Sequence, residues 1–224
     1  MDQSVRLPIF LLMLTLFLVF YPYLHQQFPD QVAILEGFFF LLMLTGVSLL
    51  TEEKNLKIFM VLLAASILIG IFISGITESL LILTIVLMGE LIFFIILFIK
   101  LLNFIFQHRE VTISSLYSAI TSYLILGIVF AIFYTLVGTL SSTLFHYTAG
   151  AQPILNIFPH PSFFSDALYF SFVTLSTLGY GDWIPVFGPI KMIAALEAII
   201  GQLFIAILIA RLVTMHKTTK VTNH

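Results

Sequence analysis

The chain of 224 residues has no cysteine. Disulfides, thiolate metal sites and cysteine nucleophiles are therefore excluded, and the redox compartment is left open. Charge is nearly as scarce. Asp, Glu, Lys and Arg supply 9% of the residues and hydrophobic types 60%, a balance that a soluble domain of this size would not tolerate. The formal net charge of -2 says little about partners, because in so apolar a chain charges matter by position. No Ser-His-Asp arrangement, carboxylate pair or phosphate-binding loop is present, so an enzymatic reading has no site. No cofactor and no nucleic-acid partner is implied. The six histidines show no metal-ligand spacing, and His146 and His160 read as solvated loop residues. An internal repeat of the kind that secondary transporters carry is also missing.

What the chain does have is long apolar runs. Leu7–Leu24, Val32–Leu50, Ile58–Ser74, Leu80–Leu102, Leu116–Leu140 and Gly188–Val213 each come near the ~20 residues that cross a bilayer as a helix. They predict an all-α integral membrane fold with six transmembrane helices. Pro8 falls in the first turn of the first run, where a missing N–H costs little. The length of that run and the lack of a small-residue cleavage site argue against a removed signal peptide. Gly75 is read as the end of the third run. Asn103 to Ser115 mixes Phe104, Ile105 and Phe106 with Gln107, His108, Arg109 and Glu110, and predicts an interfacial helix. The expected domains are a four-helix N-terminal membrane domain (1–102), this linker helix (103–115), a pore domain (116–215) and a short tail (216–224). With 13 residues after Arg211, no nucleotide- or calcium-sensing domain is expected there.

Between the fifth and sixth runs lies a polar loop, Ser141 to Phe164. A short apolar stretch follows, and then Thr177-Leu178-Gly179-Tyr180-Gly181-Asp182. Ser165 is a candidate N-cap, with Asp166 in the first turn where the helix dipole favours an anion. Asp166 to Ser176 makes about 16 Å of helix, against roughly 30 Å of hydrocarbon. Such a re-entrant helix enters a membrane without crossing it and aims its partially negative C-terminal end at the loop. Successive carbonyls of the loop point the same way only if alternate residues take left-handed dihedrals, which Gly179 and Gly181 adopt without a Cβ clash. Thr177 to Gly181 resemble the loops of potassium channels, four of which on one axis replace the ion's hydration shell with carbonyl oxygens, helped by the Thr hydroxyl. One loop per chain then requires four chains in cyclic symmetry.

Thr-Leu-Gly-Tyr-Gly differs only at Leu178 from the Thr-Val-Gly-Tyr-Gly of potassium channels. From about Thr112 to Met215 the chain resembles the pore module of prokaryotic potassium channels, and the six-run layout resembles the voltage-gated-like superfamily. Leu196-Glu197-Ala198-Ile199-Ile200-Gly201-Gln202 and Ala210-Arg211-Leu212 resemble bacterial members of the two-helix pore family that carry extra N-terminal spans. The first four spans match only by count and hydropathy. The resemblance implies a homotetrameric, potassium-selective channel in the lipid bilayer of the plasma membrane, with potassium ions as permeant ligand. It implies filter sites lined by backbone oxygens of Thr177, Leu178, Gly179 and Tyr180, completed by Gly181, with Asp182 at the mouth. The Tyr180 ring would turn away from the ions into a cuff of Tyr169 and Phe170, where many channels have Trp. Ser176 replaces a commoner Thr. Val173 stands where some channels carry a carboxylate behind the filter, so filter inactivation does not carry over. A weakly selective cation channel, a transporter with a re-entrant loop and a non-conducting accessory subunit are the alternatives.

An N-terminus in the cytoplasm puts eight of the nine Lys and Arg residues on the inner side, all but Lys191, as orientation by positive charge requires. Both termini are then cytoplasmic. Voltage sensing in the superfamily relies on arginines along the fourth span. Here Leu80 to Ile99 has no Lys or Arg and one acid, Glu90, which predicts little intrinsic voltage sensing. Gly201, 24 residues after Thr177, stands where the family places its inner-helix hinge, and bending and close packing are both open. Gln202, Ile205, Ile209 and Val213 share a face and are candidates to line a conduction path, with subunit contact the alternative for Ile205 and Ile209. Glu90 and Glu197 are carboxylates inside spans. A gating or permeation role, protonation, and hydrogen bonding to Thr84, Ser122 or Thr174 all remain open for them.

Overall fold

The structure is a computed structural model that describes residues 3–27, 32–49, 54–107, 112–140, 145–147 and 162–221. In chain order these form α1 (Gln3–Gln27), α2 (Val32–Val47), α3 (Lys54–Thr77), α4 (Leu80–Gln107), α5 (Ile113–Leu140), β1 (Phe145–Tyr147), α6 (Ser162–Leu175), β2 (Trp183–Pro185) and α7 (Gly188–Val221). Among the described residues, five helices are long and apolar enough to cross a membrane, namely α1, α3, α4, α5 and α7. The second expected span is shorter than its apolar run. With 16 residues, α2 reaches about 24 Å against roughly 30 Å of hydrocarbon. Its end is built by polar groups. Ser48 Oγ donates to the Thr45 carbonyl at 2.6 Å, and Arg6 Nη1 of α1 donates to the Ser48 carbonyl at 2.8 Å. A cation there suits the negative end of the helix.

The other spans overrun their apolar runs, because hydropathy marks the part of a helix in hydrocarbon while the backbone stays helical until something better satisfies it. Asn103 to Gln107 continue α4 and Ile113 to Ser115 open α5, so those described residues form no interfacial helix of their own. A reciprocal cap fixes the start of α5. Thr112 Oγ1 accepts from the Ser115 amide at 3.2 Å, and Ser115 Oγ accepts from the Thr112 amide at 2.9 Å, closing two open donors. Gly75 does not end α3, which runs to Thr77, and Glu78 makes the turn with φ of 50°. Ser165 is not the N-cap of α6, which begins at Ser162. Its first turn is anchored by aromatics instead. Phe163 lies against Gly138 of α5, and Phe164 meets Tyr21 of α1 edge-on at 5.4 Å.

One buried apolar cluster joins α1, α2, α3, α4, α5 and α6. Phe17, Phe39 and Phe94, from α1, α2 and α4, follow one another at 5.2 and 5.6 Å. Only Met60, Ala64 and Ile67 of α3 are buried; the helix packs against α4 where Gly89 meets Ile67 and Gly70 meets Val86. A smaller cluster of Tyr134, Ala167, Phe170, Ile190 and Ala194 ties α5, α6 and α7 together, with Trp183 against it. The antiparallel pairing of β1 with β2, Tyr147 opposite Trp183, was not foreseen in an otherwise helical chain. It pins the segment after Gly181 to the chain before α6.

At Gly138 a Cβ would fall on the Phe163 ring. Gly138→Val is therefore expected to destabilise the α5–α6 contact by about 1–3 kcal/mol, the usual cost of overpacking. The measurement is the thermal midpoint in detergent, and an unchanged midpoint would show that this contact is slack.

Candidate functional site

The last four carbonyls of a helix lack partners further along it, and at the end of α6 all four are served. Phe172 O accepts from the Ser176 amide at 3.1 Å and from Ser176 Oγ at 2.6 Å. Val173 O accepts from the amides of Leu178 at 2.9 Å and Gly179 at 3.3 Å, and Thr174 O from Thr177 at 2.9 Å. Leu175 O accepts from Tyr123 Oη of α5 at 3.3 Å. The bonds of Leu178 and Thr177 form a Schellman motif, which needs a left-handed residue between helix and loop. That residue is Thr177, with φ of 58°.

Glycine is usual at such a position, and a β-branched side chain there costs roughly 1–2 kcal/mol. Thr177 is held by its hydroxyl, which donates to the Ser176 carbonyl at 2.6 Å and accepts from Gln202 Nε2 of α7 at 3.2 Å. Positive φ recurs at Gly179, 57°, and Gly181, 78°. The alternation expected from the two glycines thus begins one step earlier, at a residue whose type gave no sign of it. In the single chain Leu178 is 55% exposed and Tyr180 66%.

Tyr169 and Tyr180 stack at 6.4 Å with their rings 5° apart. Tyr169 also donates its hydroxyl to Asp182 Oδ2 at 2.8 Å, and the Trp183 amide donates to Oδ1 at 3.0 Å. Sequence reasoning placed Tyr169 beside Tyr180 but missed its bond to Asp182. Phe170 is buried edge-on to Tyr134 of α5 at 5.2 Å, and neighbours on a helix point about 100° apart. Val173 and Ser176 act on the loop through the backbone and the helix end.

On α7, Gly201 lies directly against α6. A Cβ would fall on the Leu175 carbonyl oxygen and within 3.0 Å of Leu175 Cδ1. Gln202 meets Thr177, Ile205 is half-buried and Ile209 is exposed. The side chain of Val213 lies outside the described residues, as do His160 and the side chain of His146.

One turn before Gly201, Glu197 is fully buried. Tyr134 Oη donates to its Oε2 at 2.6 Å. Its Oε1 lies 2.5 Å from Ser171 Oγ, which lies 2.8 Å from the Gly127 carbonyl oxygen. Of the partners suggested by sequence, Thr84 Oγ1 bonds the Leu80 carbonyl and Ser122 Oγ the Ser118 carbonyl. Ser171 and Tyr134 lie 26 and 63 residues from Glu197, beyond any local pattern. The available signal was a serine within the apolar stretch Tyr169 to Val173. Glu90 is buried on α4.

Residues 151–217 match the family model described as ion channel, that of the two-helix-pore channels. The match takes in α6, Thr177 to Asp182 and α7 as far as Lys217, under a third of the chain. No curated protein and no solved structure matches significantly. With five helices apt to cross a bilayer, the match indicates a multi-pass membrane protein that forms an ion channel.

Gly201→Ala would drive a methyl group into the end of α6. Ion flux through reconstituted protein and the thermal midpoint are both expected to fall, the latter by about 1–3 kcal/mol of stability. A normal midpoint with altered open probability would instead assign Gly201 to bending.

Proposed function

We propose that the chain is one subunit of a homotetrameric, potassium-selective channel. In this reading α6 is the re-entrant pore helix and Thr177 to Gly181 of four chains form the filter around a common axis. The observation that carries it is the left-handed backbone at Thr177, Gly179 and Gly181, alternating with Leu178 and Tyr180 as a column of carbonyl oxygens requires. Assembly is supported by what one chain leaves bare. Met192, Leu196, Ile199, Leu203 and Ile207 are exposed along α7 at helical spacing, beside the exposed loop. Four copies would cover both around one axis.

Both termini are proposed to be cytoplasmic, with the filter at the outer end. The Arg6–Ser48 contact supports six crossings, because it brings the end of α2 back to the level at which α1 begins. A helix shorter than the hydrocarbon is accommodated by local thinning of the bilayer at modest cost.

Purified protein in liposomes is expected to pass potassium and rubidium far better than sodium, with block by barium. Equal potassium and sodium currents would overturn the reading. Gly179→Ala should abolish or degrade selectivity, since a Cβ opposes φ of 57°.

Open probability is expected to vary only weakly with voltage. A charge crossing the full membrane field is worth about 2.3 kcal/mol per 100 mV, and α4 from Leu80 to Ile99 carries no Lys or Arg. Planar-bilayer recordings test this. Steep activation that disappears in Glu90→Gln would show that a single carboxylate suffices.

A further inference from the structure

Three short oxygen–oxygen contacts meet behind α6. They join Tyr134 Oη to Glu197 Oε2 at 2.6 Å, Glu197 Oε1 to Ser171 Oγ at 2.5 Å, and Ser171 Oγ to the Gly127 carbonyl at 2.8 Å. Each is a hydrogen bond only if a proton lies between its oxygens. Tyr134 and Ser171 bring one hydroxyl proton each, and a backbone carbonyl brings none. The third proton has one place to reside, the Glu197 carboxyl. The contacts then form a directed chain. Tyr134 donates to Oε2, Oε1–H donates to Ser171 Oγ, and Ser171 donates to the Gly127 carbonyl. A carboxylate would leave one of the three contacts as two facing lone pairs.

We propose that Glu197, as a neutral carboxylic acid, is a positioning residue for ion selectivity. It ties α6, through Ser171, to α5 at Tyr134 and Gly127 and to its own helix, α7. Ser171 stands six residues before Thr177, about 9 Å along the helix, so the chain fixes the height of the helix end from which Thr177 to Gly181 depart. Glu197, Ser171 and Tyr134 are each fully buried, and none can exchange its partner for water. The proposal rests on the reading of Thr177 to Gly181 as a filter.

The side chain that reproduces a neutral acid here is glutamine, whose carbonyl accepts from Tyr134 while its amide donates to Ser171. Full-length Glu197→Gln in liposomes should therefore keep the potassium-to-sodium permeability ratio of the wild type. Glu197→Ala and Ser171→Ala each leave buried polar groups unpaired and should lower the ratio about tenfold, within the range such losses produce. An infrared difference spectrum of wild type minus Glu197→Gln should show the carbonyl stretch of a protonated carboxylic acid. A carboxylate band in its place, a Gln variant as unselective as Ala, or an Ala variant as selective as wild type would each overturn the proposal. If the Ala variants do not fold, the spectrum and the Gln variant still decide. Wild-type protein that passed sodium as well as potassium would defeat the filter reading, and the infrared band would then decide the proton chain by itself.

Discussion

The last carbonyls of a helix need partners from beyond its end, and much of the described chain is arranged around that requirement at the end of α6. Val173 O and Thr174 O are served by amides that fold back from Thr177, Leu178 and Gly179. Folding back forces Thr177 into a left-handed conformation, which starts the alternation that continues at Gly179 and Gly181. The bonds that end the helix and the dihedrals that shape the loop are therefore one feature. Leu175 O completes the set by drawing in two other helices. Tyr123 of α5 donates to it, and Gly201 of α7 approaches so closely that no side chain fits.

The loop itself was legible in the sequence because its chemistry is local. Glycines at 179 and 181 announce positive φ by their type, and an apolar stretch too short to span announces the short helix α6. Thr177 was illegible, since a β-branched residue in that conformation is selected by hydrogen bonds that come from outside the residue. Helix ends were poorly legible for a related reason. Hydropathy reports where lipid lies, whereas the ends of α2, α3 and α5 depend on Arg6, Glu78 and the Thr112–Ser115 cap.

Aromatic packing helps to join the N-terminal helices to the matched segment. Phe164 of α6 inserts between Tyr21 and Phe39, at 5.4 and 6.0 Å. Further along α7, Phe98 of α4 and Tyr123 of α5 meet Phe204 at 6.3 and 5.9 Å, and Arg211 lies 4.7 Å above the Phe106 ring. A cation over an aromatic face is worth about 0.5–2 kcal/mol, enough to hold two helix ends together and small enough to be broken. These side chains link α4 and α5 to α7 within one chain.

Polar groups are few here, and three sets of them lie where one element is located against another. Arg6 and Ser48 set α1 against α2. Tyr169, Asp182 and Trp183 set the end of the loop against α6. Tyr134, Glu197, Ser171 and Gly127 set α5, α6 and α7 together. In lipid the hydrophobic effect gives helices no reason to prefer one depth over another, because the surroundings are as apolar as the side chains. Apolar packing can then slide with little penalty, while a hydrogen bond off by one residue leaves a buried donor or acceptor unmet. In the proposed filter, whose carbonyls would lie at fixed heights, the second kind of contact would be needed behind the loop. An acid that is neutral supplies two such bonds without the cost of burying a charge.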